Sequence, residues 1–473
     1  MTDSEQYFES DSFKQMLEAY EESKKSGNPV FLDSDEYADI AEYYDYNGKS
    51  DLAIEVADEA ISIYPGAIGP LAFKARYVLQ NEQNTEKADA ICEQIIDKSD
   101  LDYYYIKAEI LIVDNKAEEA HQYLLSRLSH IDDEDYEDYI LDVTTLFLDY
   151  EWEAYAEKWL HMAKGKQTNE HLELLGRIYI FQGKYGEAER LFNQLLDQSP
   201  FTLEYWIYLI NCQRLSNKFE DAITSCEYAW AINPKNSDVI INFGSTYLQK
   251  GDAKMALPYF ELYVSQHPND ETGETYYGLA MSKLDRNDEA ENHLKKAESL
   301  ANASSPNMPI ICQELAFVMS KKGNVEESFS YIEKCVGFGL PATIGDFLKG
   351  YVMLENSSEE DARYWFRKAR RNASDIQELF LKICTAYYDN GYYDSAYRMF
   401  KNLSKECLNA HPEIYAYMAD CCRHLNRRRP YLFNLERACR LAADETKNVL
   451  GKYYPAEMNP ANYFNFENLW NTF

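Results

Sequence analysis

Small and apolar residues recur along the middle of the chain at a constant interval of 34 residues. Within one interval, apolar positions three and four residues apart mark one face of a helix, as in Ala188, Phe192 and Leu195. Alanines and prolines both keep the longer interval: Ala188, Ala222 and Ala256, and Pro200, Pro234 and Pro268. The pattern predicts a tandem array of helix–turn–helix units.

The unit from Glu170 to Pro200 shows the pattern most clearly. Gly176 lies midway along a first helix, Gly183 is suited to end it, and Ala188 and Phe192 lie on one face of a second helix. A small residue lets paired helices approach closely, and a large residue of the second helix fills the space beside it. These features resemble the tetratricopeptide repeat. The resemblance implies an all-α fold, a right-handed α-solenoid of about twelve repeats.

The repeat phase divides the chain into three regions. Residues 1–34 are predicted to form an N-terminal capping helix that ends at Gly27-Asn28-Pro29, and Asp33 and Glu36 have the spacing of a capping box. Residues 35–445 form the array. The 34-residue spacing is lost in residues 446–473. This segment is predicted either to cap the last helices or to dock on another molecule, and we favour the cap. The tail is rich in aromatic residues: Tyr453, Tyr454, Tyr463, Phe464, Phe466, Trp470 and Phe473.

The net charge of −33 is unevenly distributed, because residues 1–150 hold 36 acidic and 11 basic side chains. An acidic half favours cationic partners and repels nucleic acid and anionic membranes. An acidic surface also keeps a long solenoid from associating with itself. The charge therefore supports recognition and solubility equally.

The sequence contains none of the common catalytic motifs. It contains no zinc-protease motif, phosphate-binding loop or serine-hydrolase motif, and its histidines are scattered. The ten cysteines include no C-x-x-C pair, and several fall at helix-core positions, so we expect reduced thiols. No apolar run is long enough for a membrane span, and no export signal is recognisable. We expect a cytoplasmic protein that is not an enzyme and has no metal site or cofactor.

In the tetratricopeptide family, the first helices of the repeats line a concave groove. The resemblance therefore implies that six side chains of the central repeats face a partner: Arg177, Tyr208, Asn211, Arg214, Asn242 and Ser245. Asparagine can bond a peptide backbone at both its donor and its acceptor, and arginine can clamp a carboxylate. Acidic residues occupy positions where chaperone-binding members carry lysine, so recognition of a chaperone's acidic C-terminus is not expected.

The groove positions change character along the chain. Those of the first repeats are mainly acidic and would suit a basic or proline-containing segment: Asp35, Glu42, Asp45, Asp102, Tyr105 and Glu109. Those further along are apolar: Phe317, Phe347, Tyr351 and Leu354. Such a change favours one long partner or several short ones.

Six arginines and one acidic residue lie between Cys421 and Arg440, in contrast to the rest of the chain. Arg423, Arg427, Arg428 and Arg429 form a candidate patch for an anion, an RNA backbone or the acidic half of a second copy. Nucleic-acid affinity depends on the number of phosphates neutralised, and this basic surface is small. The charge asymmetry is more consistent with head-to-tail self-association.

These features predict a non-catalytic scaffold or adaptor that binds an extended segment of another protein in the concave groove. One alternative is a regulatory sensor whose superhelix closes on a peptide or small ligand. RNA binding through the C-terminal arginines is the third hypothesis.

Overall fold

All regular structure in the described part of the chain is helical, as the spacing of apolar residues predicts. The computed structural model describes residues 7–8, 10–27, 30–302 and 305–470, without the side chains of residues 469 and 470. The chain divides into two compact units, Met1–Gly251 and Asp252–Phe473.

Among the helices of the first unit whose bounds lie in the described residues, one precedes six antiparallel pairs and one follows them. The helices are α1 (Asp11–Ser26), α2 (Ser34–Tyr46), α3 (Ser50–Ile63), α4 (Ile68–Tyr77), α5 (Thr85–Cys92), α6 (Leu101–Val113), α7 (Ala117–Arg127), α8 (Tyr136–Asp149), α9 (Glu153–Leu160), α10 (Asn169–Phe181), α11 (Tyr185–Gln198), α12 (Leu203–Leu215), α13 (Phe219–Ile232) and α14 (Ser237–Lys250).

The second unit begins with one helix and continues with five pairs, with a short helix between the last two pairs and two short helices at the end. These are α15 (Ala253–Gln266), α16 (Glu271–Lys283), α17 (Asn287–Leu300), α18 (Met308–Lys321), α19 (Val325–Gly337), α20 (Ala342–Glu355), α21 (Glu359–Arg371), α22 (Ile376–Asp389), α23 (Tyr393–Lys401), α24 (Lys405–Ala410), α25 (Ile414–His424), α26 (Arg428–Leu441), α27 (Ala443–Leu450) and α28 (Tyr463–Trp470).

Local signals in the sequence set several helix ends. Asp33 Oδ1 accepts hydrogen bonds from the backbone nitrogens of Asp35 and Glu36, and Glu36 Oε2 accepts one from the backbone nitrogen of Asp33 at 2.8 Å, which confirms the capping box. Gly183 has a φ of 70°, in the left-handed region that few other residues adopt. One repeat later Asn217 takes the same conformation, which asparagine tolerates. The predicted end of the first helix at Asn28 and Pro29 lies outside the described residues.

Small residues bring the paired helices together, as the repeat pattern predicts. A Cβ atom on Gly176 of α10 would lie 2.7 Å from Cζ of Phe192 on α11. A Cβ atom on Gly278 of α16 would lie 2.7 Å from Cγ of Leu294 on α17. Both contacts are closer than carbon atoms pack, so glycine is what allows the large side chain to fill this space.

Aromatic side chains pack over the first and last pairs of the described helices. Near the N-terminus, the rings of Phe8 and Phe13 lie 5.5 and 5.2 Å from the ring of Tyr43 on α2. In the second unit, Tyr454 stacks on Tyr463 at 3.8 Å between ring centroids, and both belong to a core cluster with residues of α25 and α26. Phe473 lies outside the described residues.

Two features of the helices were not predicted. A single π-helical turn, Val78–Glu82, follows α4, and the six-residue helix α24 separates α23 from α25.

All ten cysteines are buried, free thiols, at core positions in both units.

Candidate functional site

The predicted groove residues of α10 and α12 lie together in the first unit. Arg177 Nη2 donates a hydrogen bond to Asp149 Oδ1 at 2.6 Å, and its guanidinium lies 5.8 Å from the ring centroid of Tyr208. Tyr208 also stacks on Phe192, and burial raises the pKa of Tyr208. The Arg177 side chain is 16% exposed and already paired, so a ligand carboxylate would compete with Asp149 for it.

The other four predicted residues occur as two neighbouring pairs. Arg214 Nη2 donates to Asn211 Oδ1 at 2.9 Å within α12. On α14, Asn242 Nδ2 donates to the carbonyl oxygen of Asp238 at 2.8 Å, and Asn242 is 7% exposed. Ser245 is 2% exposed. The structure therefore leaves Asn242 and Ser245 little surface for contact with a partner.

Two of the acidic positions of the first repeats, Asp102 and Glu109, bond an arginine that was not predicted. Arg76 of α4 donates from Nε to Glu109 Oε1 at 3.1 Å and from Nη2 to Asp102 Oδ1 at 3.2 Å. Burial raises the pKa of Glu109, and burial together with the charge of Asp39 raises the pKa of Glu42. For both carboxylates, the effect of burial on the pKa outweighs the opposite effect of the Arg76 charge.

Glu42, Asp102 and Glu109 form an acidic face on the first helices of the first repeats. Tyr105 extends this acidic face towards α8. Its hydroxyl donates to Asp142 Oδ2 at 2.8 Å, and burial raises the pKa of Asp142. Arg76 lies on α4, where the repeat pattern is weak, so its register in the groove could not be assigned from the sequence. The face as a whole can accept hydrogen bonds and positive charge from a bound segment.

In the second unit, the first helices of successive repeats enclose a hollow of about 580 Å³. Three of the predicted apolar residues line it, namely Phe317, Phe347 and Tyr351, and Phe317 meets Tyr351 edge to face at 6.1 Å. Leu381 of α22 adds a further apolar side chain that was not predicted. Leu354, which was predicted to line the groove, is 2% exposed and does not line the hollow, because it packs in the core below.

Charged side chains of both signs surround the hollow. Lys321 is paired with Asp285 at 2.6 Å, and Lys382 is paired with Glu378 at 2.9 Å. Burial raises the pKa of Asp389, which lies at the same opening. An apolar floor with a polar rim of this kind suits an apolar side chain carried on an extended backbone.

Arg423 and Arg427, two of the predicted patch arginines, form ion pairs with carboxylates of the second unit. Arg423 Nη1 donates to Glu467 Oε1 at 2.9 Å and its guanidinium lies 4.3 Å from the ring of Tyr453. Arg427 Nη2 donates to Asp394 Oδ1 at 2.8 Å. Arg428 is half-buried and Arg429 is exposed at the start of α26. Arg423 thus belongs to the packing of the C-terminal segment.

Among the described residues, no group of three or more His, Cys, Asp or Glu side chains could hold a metal ion. None of the described helices has both the length and the apolar character needed to cross a membrane.

Models of the tetratricopeptide repeat match residues 174–237 and 237–270, where the glycine and alanine spacing is clearest. Residues 174–270 of this chain are therefore tetratricopeptide repeats. Its helix pairs form the all-α repeat architecture of that family. Tetratricopeptide repeats generally mediate protein–protein interaction.

No curated protein matches the chain. Similar solved structures include a tetratricopeptide repeat protein from Parabacteroides merdae, with 17% identity, a TM-score of 0.43, and coverage of 54% of this chain and 99% of that one. The Cut9–Hcn1 hetero-tetramer of APC/C has 12% identity, a TM-score of 0.40, and coverage of 94% and 93%. The type IV pilus biogenesis factor PilW has 16% identity, a TM-score of 0.40, and coverage of 45% and 98%. Structural similarity at these identities and TM-scores does not identify the partners of this chain.

Proposed function

We propose that this tetratricopeptide-repeat protein is a non-catalytic scaffold that binds an extended segment of another protein along its first helices. The observation that carries the proposal is the hollow between α16, α18, α20 and α22, with Phe317, Phe347, Tyr351 and Leu381 on its floor. A hollow of about 580 Å³ has room for one large apolar side chain and the backbone on either side of it.

The acidic face of the first unit supports a basic segment as the preferred ligand there. Glu42, Glu109 and Asp142 all have raised pKa values, so a lysine or arginine brought near them would stabilise their charged forms. Binding at this face would weaken as salt increases, because the side chains of Glu42 and Asp142 keep an exposed surface although neighbouring helices partly desolvate them. The proposed surface also includes residues of the first helices α10 and α12, namely Arg177, Tyr208, Asn211 and Arg214.

The test is selection of binding peptides from a random library on the full chain, followed by affinity measurement with variants. Phe317→Ser/Leu381→Ser removes apolar surface from the hollow, whereas Phe338→Ser/Leu441→Ser removes the same side-chain types at exposed positions outside it. We expect the first variant to weaken binding by about tenfold or more, since burial of one large apolar side chain is worth about 1.5–3 kcal/mol. The control should bind normally. Equal affinity of both variants for every selected peptide would show that the hollow is not the binding site.

A further inference from the structure

A second groove in the second unit lies between α21, α22 and α23, away from the hollow described above. It encloses about 530 Å³, with an apolar floor that includes Phe366, Phe380 and Met399. Beyond Arg370 and Phe380 it continues into a hollow of about 350 Å³ beside Leu403. The continuation lies where α23 ends after nine residues, at Lys401.

Arginines surround this groove in a strongly acidic protein. Residues 363–371 contain five basic and no acidic side chains, against a net charge of −33 for the whole chain. Four arginines and two glutamates line the groove: Arg363, Arg367, Arg370 and Arg398, with Glu359 and Glu360. Arg363 is paired with Glu359 at 2.7 Å, and Arg398 is paired with Asp394.

The other two arginines have no such partner. Arg367 Nε donates to the carbonyl oxygen of Arg363 at 3.1 Å, and the guanidinium of Arg370 lies 5.2 Å from the ring of Phe380. Within the described part of the chain, neither forms an ion pair with a carboxylate. Both side chains are exposed, so their remaining donors can bind the carboxylates of another molecule. An aromatic floor beside two available guanidiniums fits an acidic segment that carries a large apolar side chain.

The chain itself contains such a segment. Phe31 is 94% exposed, the highest value among the exposed large apolar side chains of the described residues. It lies outside any helix and is followed by the exposed Asp33 and Asp35. The backbone at Asp33 is extended, with φ −83° and ψ 179°.

We propose that Phe31 to Glu36 of a second copy of this chain dock in the groove between α21, α22 and α23. The ring of Phe31 covers the floor near Phe380, and the carboxylates of Asp33 and Asp35 meet Arg367 and Arg370. Removal of Phe31 from water provides the apolar contribution, and the opposite charges set the orientation. Because the groove and the segment are different surfaces of one chain, the contact is heterologous and can continue from copy to copy.

Sedimentation velocity of the full chain over a range of concentrations tests this proposal at low and high salt. The wild type should associate at low salt and dissociate as salt increases. Arg367→Glu/Arg370→Glu and Phe31→Ser should each weaken association by about tenfold or more. The matched controls are Arg429→Glu/Arg440→Glu, with the same charge change on α26, and Phe201→Ser, at a residue that is 79% exposed. Both controls should associate like the wild type.

Mixing the two variants gives the sharpest test. The arginine variant keeps an intact Phe31 segment, and the Phe31 variant keeps an intact groove. At a concentration where the wild type just associates, each variant alone should be mainly monomeric, whereas the mixture should form a 1:1 dimer with one intact contact. Failure of the mixture to form this dimer, or a wild type that is monomeric at every concentration, would overturn the proposal. Loss of association in the Arg429→Glu/Arg440→Glu control alone would also overturn it and would place the contact on α26.

Discussion

Replacing Gly176 with alanine would test how the paired helices pack. The new Cβ atom would lie 2.7 Å from Cζ and 2.9 Å from Cε2 of Phe192, where carbon atoms normally stay about 3.5–4.0 Å apart. Phe192 is fully buried, so its ring cannot move into solvent. Overpacking of a core costs about 1–3 kcal/mol, whereas alanine gains about 1 kcal/mol over glycine inside a helix. We expect a net loss of up to about 2 kcal/mol in the free energy of unfolding.

Gly186 provides the matched control in the partner helix α11. A Cβ atom on Gly186 would meet no atom within 4 Å, and its φ is not positive. Gly186→Ala should therefore stabilise the protein by up to about 1 kcal/mol, through helix propensity alone. The difference between the two variants isolates the contact with the Phe192 ring.

The assay must report on these two helices, because a repeat array can unfold region by region. Hydrogen exchange of the backbone amides in α10 and α11 gives the local free energy of opening, and denaturant unfolding gives the global change. Phe192→Ala alone should cost about 3–5 kcal/mol. In that background, Gly176→Ala should become neutral or stabilising, because the added methyl group then enters the cavity. If Gly176→Ala stabilises the wild type as much as Gly186→Ala does, the packing argument is wrong.

Two further predictions concern buried polar groups. Glu467 accepts a hydrogen bond from Arg423 at 2.9 Å and from two tyrosine hydroxyls, so Glu467→Gln should cost about 1–3 kcal/mol and increase proteolysis after residue 450. Burial lowers the pKa of His121 and His171, so their contribution to stability is complete above the unfolded value of about 6.5 and is lost as the pH falls below it. Urea midpoints should therefore fall from pH 7.5 to pH 5.5, and less so in His121→Gln/His171→Gln. The raised pKa of Glu109 acts with the opposite sign, because it favours the protonated folded state. If the urea midpoint of His121→Gln/His171→Gln depends on pH as strongly as that of the wild type, the assignment to these histidines is wrong.

Features that depend on neighbouring residues were predictable from the sequence. The capping box of Asp33 and Glu36 involves residues within one helical turn, and the left-handed end at Gly183 depends on the conformational preference of that residue. The contact between Gly176 and Phe192 joins two helices that follow each other directly, so the 34-residue pattern was enough to identify it.

Side-chain partners across several helices were not predictable in this way. Arg76 meets Asp102 and Glu109, which lie 26 and 33 residues further along the chain. Arg423 was predicted to belong to a patch for an anion or a partner, yet it pairs with Glu467, which lies 44 residues further along the chain. A long arginine side chain can reach several carboxylates. Which of them it pairs with depends on distances between helices that a repeat pattern does not specify.

The sequence by itself determined the helical repeats, because each repeat is specified by small, aromatic and turn-forming residues within a single helix pair. Only the tertiary structure decided which surfaces the repeats present. The hollow at Phe317 and the arginine groove at Arg367 each require three or more helices in a fixed arrangement, and the length of α23 helps to set the second one. The physical reason is that backbone preference and core packing act locally, whereas the burial, charge and pairing of a surface side chain depend on every helix that reaches it.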